Sequence, residues 1–178
     1  LTGNDPVEYK WDKKGDKCFE LCNSSLARYE SEYDNPGEKD APKALTMEQM
    51  YHVIEKGIKH DLIMTVGVLK GTHGLVGPHM YAIINACTHT PSGGEKVHLV
   101  QMRNPHGSGC EWNGRYSDRD FDTKGWKPDN GFVMDTLGFT KEGVENATTE
   151  DGLFWMPIDE LAQQADGLFC FCAVSDSM

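Results

Sequence analysis

The sequence predicts an α+β fold in which a mainly antiparallel sheet is flanked by two helices, and three observations carry that prediction. Apolar, partly β-branched runs at 62–69, 79–88 and 97–103 are separated by Gly-rich or Pro-Ser-Gly-Gly connections, the pattern of strands joined by turns. Met47, Met50, Tyr51, Ile54 and Ile58 recur on one face at helical spacing, so 47–59 should form a core-facing helix with Thr46 and Gln49 as its capping box. Pro157 suits the first position of a second helix over 158–165, and the apolar run 168–174 closes the chain as another strand.

The first 45 residues are polar and rich in Gly, Pro and Asn, most of all in Tyr33-Asp34-Asn35-Pro36-Gly37-Glu38-Lys39-Asp40-Ala41-Pro42, which is turn and loop chemistry. Only 18–29 suggests a short helix there, and 9–44 reads as a loop-rich insertion. The run at 79–88 is apolar on both faces, Tyr81 and Ile83 against Met80, Ala82 and Ile84, which predicts a central, buried strand. Residues 104–150 mix Gly, Asn, Asp and aromatics without a clear period and predict structured loops with at most short strands.

A chain of 178 residues has room for one good core, so one domain over 1–178 is expected. The counts of 17 Lys+Arg and 28 Asp+Glu give a net charge of −11, which repels phosphate backbones and argues against nucleic acid as a partner. Excess carboxylates are either solvated surface or, where several converge, a place for Ca²⁺. Six cysteines scattered through a chain with its own apolar inventory do not make a disulfide scaffold, and predict a reducing, cytoplasmic setting. No stretch approaches the roughly 20 apolar residues of a membrane span, and Leu1-Thr2-Gly3-Asn4-Asp5 lacks the layout of a signal peptide. A start at Leu1 reads as a fragment of something longer.

The chemistry concentrates where His79 opens one predicted strand and Asn104 ends the next. A turn centred on Pro91-Ser92 would set these two residues opposite each other on one face, unless a bulge shifts the register. The amide oxygen of Asn104 could then accept from one ring N–H of His79, fix its tautomer and aim the other nitrogen at a nucleophile. The alternative is that both are solvent-exposed residues punctuating strand ends.

Several motifs in order carry a resemblance that bears on this choice. Gly74-Leu75-Val76-Gly77-Pro78-His79-Met80-Tyr81-Ala82-Ile83 is similar to the Gly-His-Ala-Tyr segment around the catalytic histidine of calpain-type cysteine proteases. Arg103-Asn104-Pro105-His106-Gly107, followed by Glu111-Trp112-Asn113-Gly114-Arg115-Tyr116-Ser117-Asp118, resembles that family's Arg-Asn-Pro-Trp-Gly and Glu-Trp-x-Gly-x-Trp-Ser-Asp run. Glu150-Asp151-Gly152-Leu153-Phe154-Trp155-Met156 resembles its Glu-Asp-Gly-Glu-Phe-Trp-Met, and Leu1-Thr2-Gly3 resembles the Phe-Thr-Gly-Gly that begins the second half of the calpain core. The likeness is good over 65–178 and loose before it.

The resemblance implies the fold of the second, C-terminal lobe of the papain-like calpain core, with His79 as general base and Asn104 as its orienting partner. It implies polypeptide substrates, a preceding lobe of the same parent protein that carries the cysteine, and Ca²⁺ near Glu111, Asp118, Asp151 and the carbonyl of Thr149. Three departures qualify this. His106 replaces a tryptophan that shields the His-Asn pair, so the site should be wetter. Pro78 replaces the glycine before the histidine, removing a donor and fixing φ. Leu153 replaces an acidic calcium ligand, so Ca²⁺ binding should be weak or absent, with plain surface acids as the alternative.

No nucleophile is expected within the chain. Cys18 in Gly15-Asp16-Lys17-Cys18-Phe19 is superficially similar to the family's Gly-Asp-Cys-Trp, but Lys17 intrudes and no tryptophan follows. Cys87, Cys110, Cys170 and Cys172 read as small fillers. Zinc at Cys87, His89, His73, His79 and His98 is disfavoured because no spaced ligand pair is present. The expectation is therefore half of a thiol protease, inactive alone, against a competing reading as a non-catalytic scaffold or interaction module of calpain type.

Overall fold

The computed structural model describes residues 7–11, 18–21, 44–90, 94–107, 109–117, 152–164 and 168–172. Its elements are β1 (Val7–Trp11), β2 (Cys18–Leu21), β3 (Ala44–Leu45), α1 (Met47–Lys59), β4 (Ile63–Val68), β5 (His79–His89), β6 (Val97–Arg103), β7 (Leu153–Pro157), α2 (Ile158–Gln164) and β8 (Leu168–Cys172). The strands form one eight-stranded sheet in the order β3-β2-β1-β8-β4-β5-β6-β7. Every neighbouring pair is antiparallel. The α+β class predicted from the sequence is the class observed.

Helix α1 begins as its capping box dictates. The Thr46 hydroxyl accepts from the Gln49 N–H at 3.2 Å, and the Thr46 N–H donates back to Gln49 Oε1 at 2.9 Å. Met50, Tyr51 and Ile54 are buried on the inward face. They join Met64, Val66, Val68, Tyr81, Ile83, Val100, Met102, Phe154 and Met156 of the sheet and Ile158, Leu161 and Ala162 of α2 in one core. Full burial of side chains of this size contributes about 1.5–3 kcal/mol each before entropy is set against it.

Strand β5 is central, as expected, but not apolar-buried on both sides along its whole length. Met80 and Ile84 are exposed, while Tyr81 and Ile83 are in the core. A register shift between Ile83 and Asn85 then changes which residues face inward. Beyond it Ala86 packs on the main core and the Thr88 hydroxyl bonds that of Tyr51, whereas Cys87 joins Leu99 and Trp155 in a second cluster.

Other sequence expectations change. Residues 18–21 are strand rather than the start of a helix, and β1 and β3 also fall in the stretch read as loop. The side-chain alternation there is too short to outweigh the surrounding turn residues, and the pairing of β1 with β8 is set by tertiary contact. The remainder of 9–44 lies outside the described residues. Pro157 ends β7 rather than opening α2, and the strand Leu153–Pro157 was hidden because all five residues are apolar or half-buried, leaving no alternation.

The far end of the β5–β6 hairpin is fastened to α1 by a polar chain. His98 stacks on Tyr51 at 3.9 Å, its Nδ1 bonds Thr88 at 2.9 Å, and its Nε2 meets Glu48 at 2.6 Å. The hydrogen bond and charge of His98 hold the Glu48 carboxyl below its ordinary value of 4.5. A carboxylate with a lowered folded-state value stabilises the fold above the unfolded value and loses that contribution as pH falls through the folded one. Glu48→Gln should therefore lower the thermal midpoint at pH 7, and the difference from wild type should shrink from pH 4.5 downward and vanish in stronger acid. A scanning-calorimetry pH series checks this.

Candidate active site

Antiparallel pairing brings the start of β5 beside the end of β6, and there the side chains of His79 and Asn104 meet. His79 Nε2 lies 2.9 Å from Asn104 Oδ1. Asn104 is 2 % exposed and its amide is used at both ends. Nδ2 donates to the Cys110 carbonyl at 3.3 Å, and Oδ1 accepts the His106 N–H at 3.0 Å. A carbonyl can only accept and a backbone N–H can only donate, so these two partners decide which end of the amide is oxygen. The atom facing His79 is thus an acceptor, and Nε2 must carry the proton. In the neutral ring Nδ1 then holds the lone pair.

The main chain of Asn104 is equally anchored. Its N–H donates to Gly152 O at 2.8 Å and its carbonyl accepts from Gly107 N at 3.0 Å. Gly152 has φ +89°, where a side chain would be strained, and its N–H donates to the Glu111 carboxylate. The segment ahead of His79 is fitted just as closely: a Cβ on Gly74, at φ +88°, would sit 2.0 Å from the Glu111 carbonyl. Gly77-Pro78 is a cis peptide.

Rings enclose His79 on two sides. Tyr81 meets it edge-on with centroids 4.8 Å apart at 83°, and His106 lies over it face to face at 4.5 Å and 17°. His106 thus covers the ring, although its own side chain is exposed. The tryptophan position is not left open, and the His79–Asn104 bond keeps an ordinary length.

The register differs from the one expected. Arg103 pairs with Ala82, so Asn104 lies beside Tyr81, and His79 is displaced by two residues along the strand. The connection runs over 90–96 and is not centred on Pro91-Ser92, and the bulge near Ile84 takes back one residue of that error. An even displacement keeps both side chains on one face, and diagonal neighbours are within reach of an imidazole and an amide.

Among the described residues no thiol is hydrogen-bonded to His79. Cys87 is buried in the second cluster, and desolvation pushes its thiol up to about 12, so it stays protonated. Cys18 lies on β2, four strand spacings from β5 in the sheet order, which is about 19 Å. The side chains of Cys18, Cys170 and Cys172 lie outside the described residues.

The calpain family of cysteine proteases matches residues 22–171 of this chain. The chain belongs to that family. Calpain-B of Drosophila melanogaster is 31 % identical over 96 residues, covering 52 % of this chain and 9 % of that protein. Calpain-A of the same organism is 30 % identical over 96 residues, covering 52 % of this chain and 10 % of its own length. Calpain-5 of Caenorhabditis elegans is 31 % identical over 97 residues, covering 47 % and 14 %. The matched stretch is thus about a tenth of the length of these relatives.

The calcium positions implied by calpain resemblance are only partly described. Asp118, Thr149 and Asp151 lie outside the described residues. Glu111 accepts from the Gly152 N–H, and Leu153 opens β7 with no side-chain oxygen to offer. The described residues do not build a Ca²⁺ site, and among them no group of three or more His, Cys, Asp or Glu converges as metal ligands do. Also among them, no helix is long and apolar enough to cross a membrane.

Sequence reasoning named His79, Asn104 and His106, which the structure brings together, but did not name the backbone partners. The carbonyls of Cys110 and Gly152 carry no sequence signal, since any residue supplies one. Tyr81 was read as a core residue within the motif around His79, with no role of its own.

Proposed function

We propose that this chain is the base-bearing lobe of a calpain-type cysteine endopeptidase core, with His79 as general base and Asn104 as its orienting partner. The observation that carries the reading is the Nε2–H···Oδ1 contact, with both ends of the Asn104 amide accounted for. With Nε2–H committed to Asn104, Nδ1 takes the proton of a thiol supplied by the preceding lobe of the parent protein. The resulting imidazolium stays anchored on Asn104 and returns that proton from Nδ1 to the leaving amine of the polypeptide substrate. In deacylation Nδ1 takes a proton from water. Asn104 remains neutral throughout and holds the ring plane.

The nucleophile and part of the oxyanion hole come from outside this chain. The purified chain should therefore hydrolyse no peptide, and joined to a lobe bearing a reactive cysteine it should do so in a manner that His79→Ala abolishes. Hydrolysis by the chain alone that is lost in Cys18→Ala would contradict this assignment. The competing reading, a non-catalytic scaffold of calpain type, predicts the same inactivity of the isolated chain. A parent protein with no reactive cysteine ahead of this lobe, and no peptidase activity, would establish it. The free thiols Cys87 and Cys110 accord with a reducing, intracellular setting.

Calcium contributes little to this lobe, because Leu153 removes one ligand and Glu111 is turned to a backbone amide. Isothermal calorimetry of the chain should show no binding heat below millimolar Ca²⁺. A micromolar Kd would contradict it.

A further inference from the structure

Tyr81 does more than fill the core. It is fully buried, its ring edge lies against His79, and a second edge-on contact at 5.8 Å and 80° sets it against Phe154. Its hydroxyl reaches back to the chain ahead of His79. There it accepts the Val76 N–H at 2.8 Å and points its own proton to the Val76 carbonyl at 3.5 Å. One side chain therefore ties the residue three places before His79 to the strand two places after it.

That tie falls in a stretch of irregular main chain. Residues 69–78 form no helix or strand, and the backbone hydrogen bonds there include Leu75 N to Thr72 O at 3.1 Å and Asn113 N to His73 O at 2.9 Å. Neither is made by the Val76-Gly77-Pro78 link that delivers His79, where Gly77 packs closely on the backbone of Leu69 and Gly71 and the Tyr81 hydroxyl bonds Val76. Val76 itself is 40 % exposed, so packing does not hold it. Burial pushes the Tyr81 phenol above its ordinary value, so the hydroxyl stays protonated and keeps both donor and acceptor capacity.

We infer that Tyr81 is a positioning residue for His79, its hydroxyl latching the Val76 peptide group and its ring edge setting the plane in which the imidazole meets Asn104. The inference rests on the proposed role of His79. The latch orients the base, and Tyr81 itself touches no reacting atom. Without it the ring would sample positions in which Nε2 leaves Oδ1 and either nitrogen can carry the proton.

The test is nitrogen-15 NMR of the 178-residue chain with Tyr81→Phe, which keeps the ring and removes the hydroxyl. Wild type should show a protected Val76 amide and a single His79 tautomer protonated at Nε2. In Tyr81→Phe the Val76 amide should exchange roughly tenfold faster, and the His79 nitrogen signals should move toward the averaged position of a tautomer mixture. Ile83→Val, a substitution on the same buried face, should leave His79 as in wild type. Faster Val76 exchange with an unchanged His79 would overturn the inference, as would an equal tautomer change in Ile83→Val. An unprotected Val76 amide in wild type would overturn it with no variant needed, while leaving the functional reading intact. A wild-type His79 protonated at Nδ1 instead would sink the functional reading itself.

Discussion

On the proposed reading, replacing His79 by alanine should cut kcat of this lobe joined to a cysteine-bearing lobe by at least about 10⁴-fold while leaving the lobe folded. The loss is large because, with His79 as the proposed general base, the substitution removes the group that moves the proton in both half-reactions. The fold survives because Asn104 keeps its other partners: the His106 N–H still satisfies Oδ1 and the Cys110 carbonyl still receives Nδ2. The stability cost should be that of one part-buried hydrogen bond, about 1 kcal/mol. Asn104→Ala should behave differently, losing less activity but more stability, since it strands the His106 N–H and the Cys110 carbonyl together. Steady-state kinetics alongside urea unfolding separates the two patterns. A His79→Ala variant that keeps more than a hundredth of wild-type kcat would contradict the general-base role.

The largest stability effect should come from Phe154→Ala, at about 3–5 kcal/mol. Phe154 is fully buried, lies opposite Met102 in the β6–β7 pair and packs edge-on against Tyr81. Among the described residues β7 ends the sheet order, and Phe154 lies in the main core, where the close-packed neighbours relax only partly into the space left. A loss of this size is a large share of the stability of an ordinary domain, and the variant should unfold at markedly lower urea with an unchanged slope. Phe154→Leu, which refills most of the volume, should recover more than half of it. Because Phe154 supports Tyr81, and Tyr81 lies against His79, activity should fall before unfolding begins.

The parts of this fold that were legible in the sequence are those written in local periodicity. Helix α1 follows from the spacing of Met50, Tyr51 and Ile54 and from Thr46 and Gln49 at its start, and the observed limits match the predicted ones. Strand β6 was bounded equally well, since Val97–Arg103 lies between clear turn signals. The candidate pair was found because chemistry and motif order agreed on His79 and Asn104. Its register was not legible, because a bulge and the length of a hairpin connection are decided by packing on both faces of the sheet. The prediction nevertheless put both groups on one face, since an error of two residues preserves strand parity. Strands β1, β2 and β7 were missed for opposite reasons: the first two are short pieces amid turn residues, and the last is uniformly apolar. The Asn104 cradle was beyond sequence reading altogether, being made largely of main-chain atoms.

The proposed proton route depends on which nitrogen of His79 bears the proton. Long-range nitrogen-15 correlation spectra of the chain near neutral pH should show the neutral ring protonated at Nε2 and bare at Nδ1. Asn104→Ala should convert that single form into a mixture. Protonation at Nδ1 in wild type, or a wild-type mixture indistinguishable from that of Asn104→Ala, would mean that the amide does not orient the ring and that the proposed proton route has no structural basis.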